Sequence, residues 1–208
     1  VRAAREGPHH EAACSRPDAE RAVSAVRAAL KSDNGKLWGM RLMAPILFVD
    51  AGTREVLATD SDSAGFLKPS GSMFAGTLPS EINASHTALH WGGRLWSMVM
   101  WPLPEDAVLR RTLLIHELWH RVQTDIGLPA TGPNNAHLDT PDGRLWLELE
   151  WRALALALDR LGQERVQAIG DALAFRAVRR KEFHGSAAEE AALERHGGLA
   201  GHTGGRLA

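Results

Sequence analysis

The stretch Val108-Leu109-Arg110-Arg111-Thr112-Leu113-Leu114-Ile115-His116-Glu117-Leu118-Trp119-His120-Arg121-Val122 decides how this chain is read. Val108, Leu109, Leu113, Ile115, Leu118, Trp119 and Val122 give it a broad apolar surface at helical spacing. Pro102-Leu103-Pro104 precedes it, and Glu105 and Asp106 suit a helix first turn by the sign of the helix dipole. Gly127 and Pro129 follow as a stop signal. The pattern predicts a helix of about 20 residues with His116 to His120 near its middle. Residues four apart on a helix share a face, with Cβ atoms about 5–6 Å apart. Two imidazoles at that spacing can each place a nitrogen about 2.0–2.1 Å from one Zn²⁺. Glu117 lies one step round, where it can take a proton from a water on the metal. The chain's His and Glu frequencies lead one to expect only about 0.03 chance matches to H-E-x-x-H. The competing reading is an ordinary amphipathic helix in which Glu117 pairs with Arg121 at i, i+4.

Upstream of this helix the periodicity changes. Ile46-Leu47-Phe48-Val49 and Glu55-Val56-Leu57-Ala58-Thr59 flank Asp50-Ala51-Gly52-Thr53-Arg54, a hairpin signal. Phe66-Leu67-Lys68 and Met73-Phe74-Ala75-Gly76-Thr77 flank a second turn at Pro69 to Ser72. Thr87 to Trp91 and Arg94 to Met100 flank Gly92-Gly93, a two-residue turn. Further upstream, Asp18 is placed to cap a helix carrying Ala22, Val23, Val26, Ala29 and Leu30, stopping near Asn34-Gly35. The polar residues 1–17 are expected to be a disordered tail, 18–103 a helix and β-hairpin region, and 104–208 a helical metal-site region. Strands before helices predict one α+β domain, with an antiparallel β region leading into the helices. Trp91, Trp96 and Trp101 are read as packing residues rather than a ligand platform, with the spacing of five putting alternate members on opposite sheet faces.

Composition narrows the partners. The 208 residues carry a net charge of −1, so bulk electrostatics favour neither nucleic acid nor a membrane surface. Hydrophobic residues make up 44%, enough for a core, yet no stretch of about 18 apolar residues occurs and no membrane span is expected. Cys14 is the one cysteine, which excludes an internal disulfide and any Cys-based zinc site. Arg176, Arg179, Arg180 and Lys181 are read as a solvated helix end.

Catalytic zinc usually takes three protein ligands and a water, so the two histidines need a third. One source is the apolar helix beginning at Gly143. It carries Glu148 and Glu150, of which Glu150 is the more deeply set and the favoured ligand. The alternative for Glu150 is an ion pair with Arg152, Arg144 or another arginine. A second source is the loop Asn134 to Thr140, where His137 or Asp139 could ligate or bind substrate, while Asp139 or Thr140 could simply cap the next helix. A third is the C-terminal stretch, with Glu194, His196 and His202.

The motif helix resembles that of zincin metallopeptidases. The metzincin extension is absent, since Gln123 and Ile126 stand at its Gly and final His positions. The gluzincin class is the closer likeness. Its N-E-G-x-A-E-Y segment resembles His196 to His202 here, with Gly198, Leu199 and Ala200 keeping the pattern. His196 replaces the Asn, Gly197 the ligand Glu, and Gly201-His202 the Glu-Tyr. More loosely, the chain looks like exported bacterial proteins that pair a short β region with H-E-x-x-H. An exported location is implied by that likeness alone, and the gluzincin resemblance implies further helices beyond Ala208. The resemblance also implies that the strand ending at Met100-Trp101, which runs into the motif helix, lies at a sheet edge that holds substrate backbone.

Together these readings lead us to expect a zinc metallopeptidase. In it His116, His120 and Glu150 are ligands, Glu117 is the general base acting on a zinc-bound water, and a peptide or protein is the substrate. His137 is the substrate-binding candidate, with Arg121 and Arg152 as further oxyanion stabilisers. The alternative is a non-catalytic zinc-binding or interaction domain that has lost its third ligand.

Overall fold

The computed structural model describes residues 14–128 and 134–208. Most of the expected N-terminal tail, together with the helix-stop Pro129 and the loop residue Pro133, lies outside the described residues. The chain forms two compact units, Val1–Ala130 with Gly197–Ala208, and Thr131–His196.

The first unit opens with α1, Arg16–Asp33. Ser15 rather than Asp18 is its N-cap residue; Pro17 sits in the first turn, and Asp18 pairs with Arg21 one turn on. Ala19, Ala22, Val23, Val26 and Leu30 form its buried stripe. The helix ends as expected at Asn34, which adopts the left-handed conformation at φ 51°. Six strands follow: β1 (Ile46–Asp50), β2 (Glu55–Ala58), β3 (Lys68–Ser70), β4 (Met73–Thr77), β5 (Thr87–Trp91) and β6 (Arg94–Trp101). All three expected hairpins form as antiparallel pairs. The second is tighter than expected, because Ser70 pairs with Met73 and leaves only Gly71 and Ser72 in the turn.

The sheet is not wholly antiparallel. Its order is β3-β4-β2-β1-β6-β5, and β1 pairs with β6 in parallel, Phe48 opposite Val99. β1 is central and every one of its residues is buried, as a strand covered on both faces must be. One face, with Ile46, Phe48, Leu57 and Val99, packs under the helices. The other, with Leu47, Val49, Trp96 and Met98, is closed by Leu67, Leu78 and Trp91. Trp91 and Trp96 therefore share a face, whereas counting five residues along the chain puts them on opposite ones. The Gly92-Gly93 turn, with both φ values positive, pairs Trp91 with Arg94 and restarts the alternation there.

The motif helix is α2, Ala107–Val122, and its C-terminal half buries Leu114, Ile115, Leu118 and Trp119 against the sheet. The sequence division at 104 separates this helix from the strands, but its apolar face joins their core. Asp106 is its N-cap, accepting hydrogen bonds from the Val108 and Leu109 amides at 2.9 and 2.8 Å. Helix α6, Leu199–Leu207, packs on α2 so closely that a Cβ at Gly204 would stand 2.5 Å from the Thr112 carbonyl oxygen. Thr203 of α6 accepts a hydrogen bond from the Trp38 indole at 3.0 Å.

The second unit comprises a short 3-10 turn, Ala136–Asp139, followed by α3 (Pro141–Asp159), α4 (Gly162–Glu182) and α5 (Ser186–Leu193). Thr140 caps α3, accepting from the Gly143 amide at 3.1 Å. A π-helical turn, Glu194–Gly198, precedes α6. Among the described residues no helix is long and apolar enough to cross a membrane. The fold is α+β, with a six-stranded mixed sheet.

Candidate metal and catalytic site

The helical spacing of α2 brings His116 and His120 together, with their Nε2 atoms 3.0 Å apart. Two nitrogens bound to one tetrahedral zinc at about 2.0–2.1 Å stand roughly 3.3 Å apart, so the pair is within a few tenths of an ångström of ligand geometry. The rings meet edge to face with centroids 4.7 Å apart. His120 Nδ1 lies 3.0 Å from Gln123 Oε1, one helical turn on. An Nδ1–H donated to that amide oxygen makes Nε2 the acceptor nitrogen of the ring, the arrangement by which neighbouring groups orient ligating histidines. Gln123 is 1% exposed. Trp119, fully buried, stacks edge to face on His120 and packs against Trp38.

Glu117 stands beside this pair, Oε1 4.0 Å from His116 Nε2. Its residue is 4% exposed, and Oε2 has no hydrogen-bond partner among the described residues. The expected alternative, an ion pair with Arg121, does not form; the Arg121 Nε is likewise buried and without a partner. Burial raises the Glu117 pKa from 4.5 to about 7. A carboxylate in this condition is costly as structure, and it is tuned to exchange a proton near neutral pH. Two converging imidazoles supply two of the three protein ligands that a catalytic zinc usually takes, with a buried carboxylate beside them. Among the described residues, no group of three or more His, Cys, Asp or Glu stands assembled as a metal-binding set.

Glu148, Glu150, His137 and Glu194 have partners in the second unit. Glu150, 2% exposed, is held by Arg176 at 2.6 Å and Arg179 at 2.7 Å. This is the ion pair that the sequence left open as the alternative to a ligand. Glu148 is exposed and pairs with Arg152 at 2.5 Å, which also engages one proposed oxyanion group. His137 Nε2 lies 2.9 Å from Glu190 Oε1, and its ring packs on Phe183. Glu190 also accepts from Arg179 at 2.6 Å and Arg180 at 2.8 Å. Burial alone would raise its pKa, but the bonds from Arg179 and Arg180, with His137, outweigh burial and hold it at about 2. Glu194 pairs with Arg176 at 2.8 Å. The basic run at Arg176 to Arg180 is therefore not a solvated helix end: Arg179 is 1% exposed and sits among acids.

The strand leading into α2 is not an edge. β6 lies between β1 and β5, and β5 is the outer strand on that side; both contact α2. Sequence reasoning missed two participants. Gln123 was legible only as the residue one helical turn after His120. The position of β5 required the parallel pairing of β1 with β6, for which the sequence carries no local signal. A cavity of about 800 Å³, lined by Ala25, Ser32, Lys36, Arg111 and Arg206 among others, contains none of the motif residues.

Comparison with family models, curated proteins and solved structures finds no match to this chain.

Proposed function

We propose that this chain is a zinc-dependent peptidase of the zincin type. The observation that carries the proposal is the 3.0 Å convergence of His116 Nε2 and His120 Nε2 beside the buried Glu117 carboxylate, whose Oε2 has no hydrogen-bond partner among the described residues. His116 and His120 would hold the zinc. When bound, zinc supplies Lewis acidity, lowering the pKa of a water and polarising a carbonyl oxygen. Glu117 accepts the proton of the attacking water and returns it to the departing amine. Gln123 fixes the His120 ring and tautomer. β5, as the outer strand in contact with α2, offers unpaired backbone groups to an extended peptide, which would add as a further strand.

The test is hydrolysis of a generic unstructured peptide by zinc-loaded chain. Wild type should cleave it, and Glu117→Gln should lose at least ~10²-fold in rate while keeping its zinc. Full activity in Glu117→Gln removes the general base from the mechanism.

A second reading is a zinc-binding domain without catalysis. It is favoured by the arginine partners of Glu148, Glu150 and Glu194, which engage the acidic third-ligand candidates. Zinc content in Glu150→Ala, His196→Ala and His202→Ala separates the two. Loss of the metal in one variant identifies the third donor. Retention in all three, without hydrolysis in wild type, supports the second reading.

A further inference from the structure

We propose that the hairpin of α3 and α4 is a dimerisation surface, covered by the same hairpin of a second copy of this chain. The two helices are joined only by Arg160 and Leu161, so they run antiparallel. Ala153 and Ala157 of α3 and Ala168 and Ala172 of α4 are all buried, and Trp146 of α3 meets Phe175 of α4 with ring centroids 6.2 Å apart. Other large apolar residues of both helices are left exposed. On α3, Trp151 is 62% exposed, Leu154 39% and Leu158 83%. On α4, Val166 is 61% exposed, Ile169 42% and Leu173 60%.

These residues are not scattered. With Leu147, the α3 set follows 4-3-4 spacing, and the α4 set follows 3-4. This is the heptad spacing of a helix seam that packs against another helix. At 3.6 residues per turn each seam is rotated roughly 110° from its helix's alanine stripe, in the same sense. In an antiparallel pair equal rotations bring both seams to one side. The result is an apolar face along one side of a two-helix layer, the half of a four-helix bundle, while Leu145 and Leu156 are exposed on the other side of α3.

Two features select a second copy as the occupant. The face needs a partner of matching shape, and another α3–α4 hairpin provides the same two heptad seams. The six exposed side chains offer on the order of 700 Å², close to the ~800 Å² each partner contributes to a standard stable interface, and more than monomers usually leave as one apolar patch. All of these residues lie within Thr131–His196.

Sedimentation of the full chain tests the proposal. Wild type should be dimeric at micromolar concentration. Leu158→Asp and Val166→Asp, at positions open enough to leave the fold intact by circular dichroism, should each weaken association at least ~30-fold, as expected for central apolar contacts. Phe66→Asp, an exposed apolar residue of the other unit, should leave the dimer unchanged. A wild-type chain that stays monomeric to about 100 µM overturns the proposal. So does a dimer that persists in Leu158→Asp and Val166→Asp, or one that Phe66→Asp loosens equally.

Discussion

Glu117 on the motif helix and Glu190 in the second unit are buried to the same degree, 4% exposed each, yet their surroundings are opposite. Glu190 accepts from two arginines and lies against a histidine, and Glu150 beside it is held by two arginines. Glu117 Oε2 has no hydrogen-bond partner among the described residues and no cation against it, whereas Glu150 Oε2, also without a hydrogen bond, lies 2.7 Å from Arg179. A buried carboxylate must be satisfied or it destabilises the fold. The paired ones tie α3, α4 and α5 together. The orphaned one is retained at a cost to stability, and such residues cluster where chemistry is done. The lesson is that burial alone does not single out a candidate acid; a missing partner does.

This contrast is broken first at Arg179. Arg179→Ala should destabilise the second unit by about 3–5 kcal/mol, because it leaves Glu150 and Glu190 buried without their shared cation. Hydrogen exchange over Thr131–His196 measures the loss, and unchanged protection there would contradict the structural role.

The two regions should also respond to pH with opposite sign. Folded Glu117 keeps its proton up to about pH 7, against 4.5 for the unreacted side chain. The folded state therefore binds more protons in that window, and stability falls as pH rises through it. In metal-free chain at pH 8, Glu117→Gln should be more stable than wild type by about 3 kcal/mol, the equivalent of that shift. Folded Glu190 keeps its charge down to about pH 2, against 4.5, so its contribution is present above that window and is lost as pH falls through it. Denaturant unfolding at pH 5 and 8 checks the first, and amide exchange in the second unit below pH 4.5 checks the second. A Glu117→Gln chain no more stable than wild type at pH 8 would mean that Glu117 is better satisfied than its surroundings indicate.

A smaller effect sharpens the picture of the site. Gln123→Ala should weaken zinc binding by about 10–100-fold through loss of the His120 orientation, with little change in fold. Affinity equal to wild type would show that the Nδ1 contact does not position the ring.

Much of this was legible in the chain. Helical spacing alone placed His116 and His120 on one point, and turn chemistry at Asp50 to Arg54 and Gly92-Gly93 gave the hairpins their partners. What was hidden is non-local. The parallel pairing of β1 with β6 joins segments about 50 residues apart and leaves no local signature, so the outer strand was misplaced by one. The fate of Glu150 depended on Arg176 and Arg179, a helix away, which looked solvated in sequence because charge runs usually are. The cap of α1 shifted from Asp18 to Ser15 because Pro17 is favourable in a first turn.

The central claim is that His116 and His120 form a zinc site, and zinc affinity of the metal-free chain tests it most directly. Competition with a chelator at one fixed pH should show tight binding by wild type, and by Glu117→Gln, since the carboxylate is assigned to proton transfer rather than to ligation. His116→Ala and His120→Ala should each lower affinity by at least ~100-fold, because a single remaining imidazole is a poor site. Wild type that binds no zinc, or histidine variants that bind it as tightly as wild type, would contradict the account.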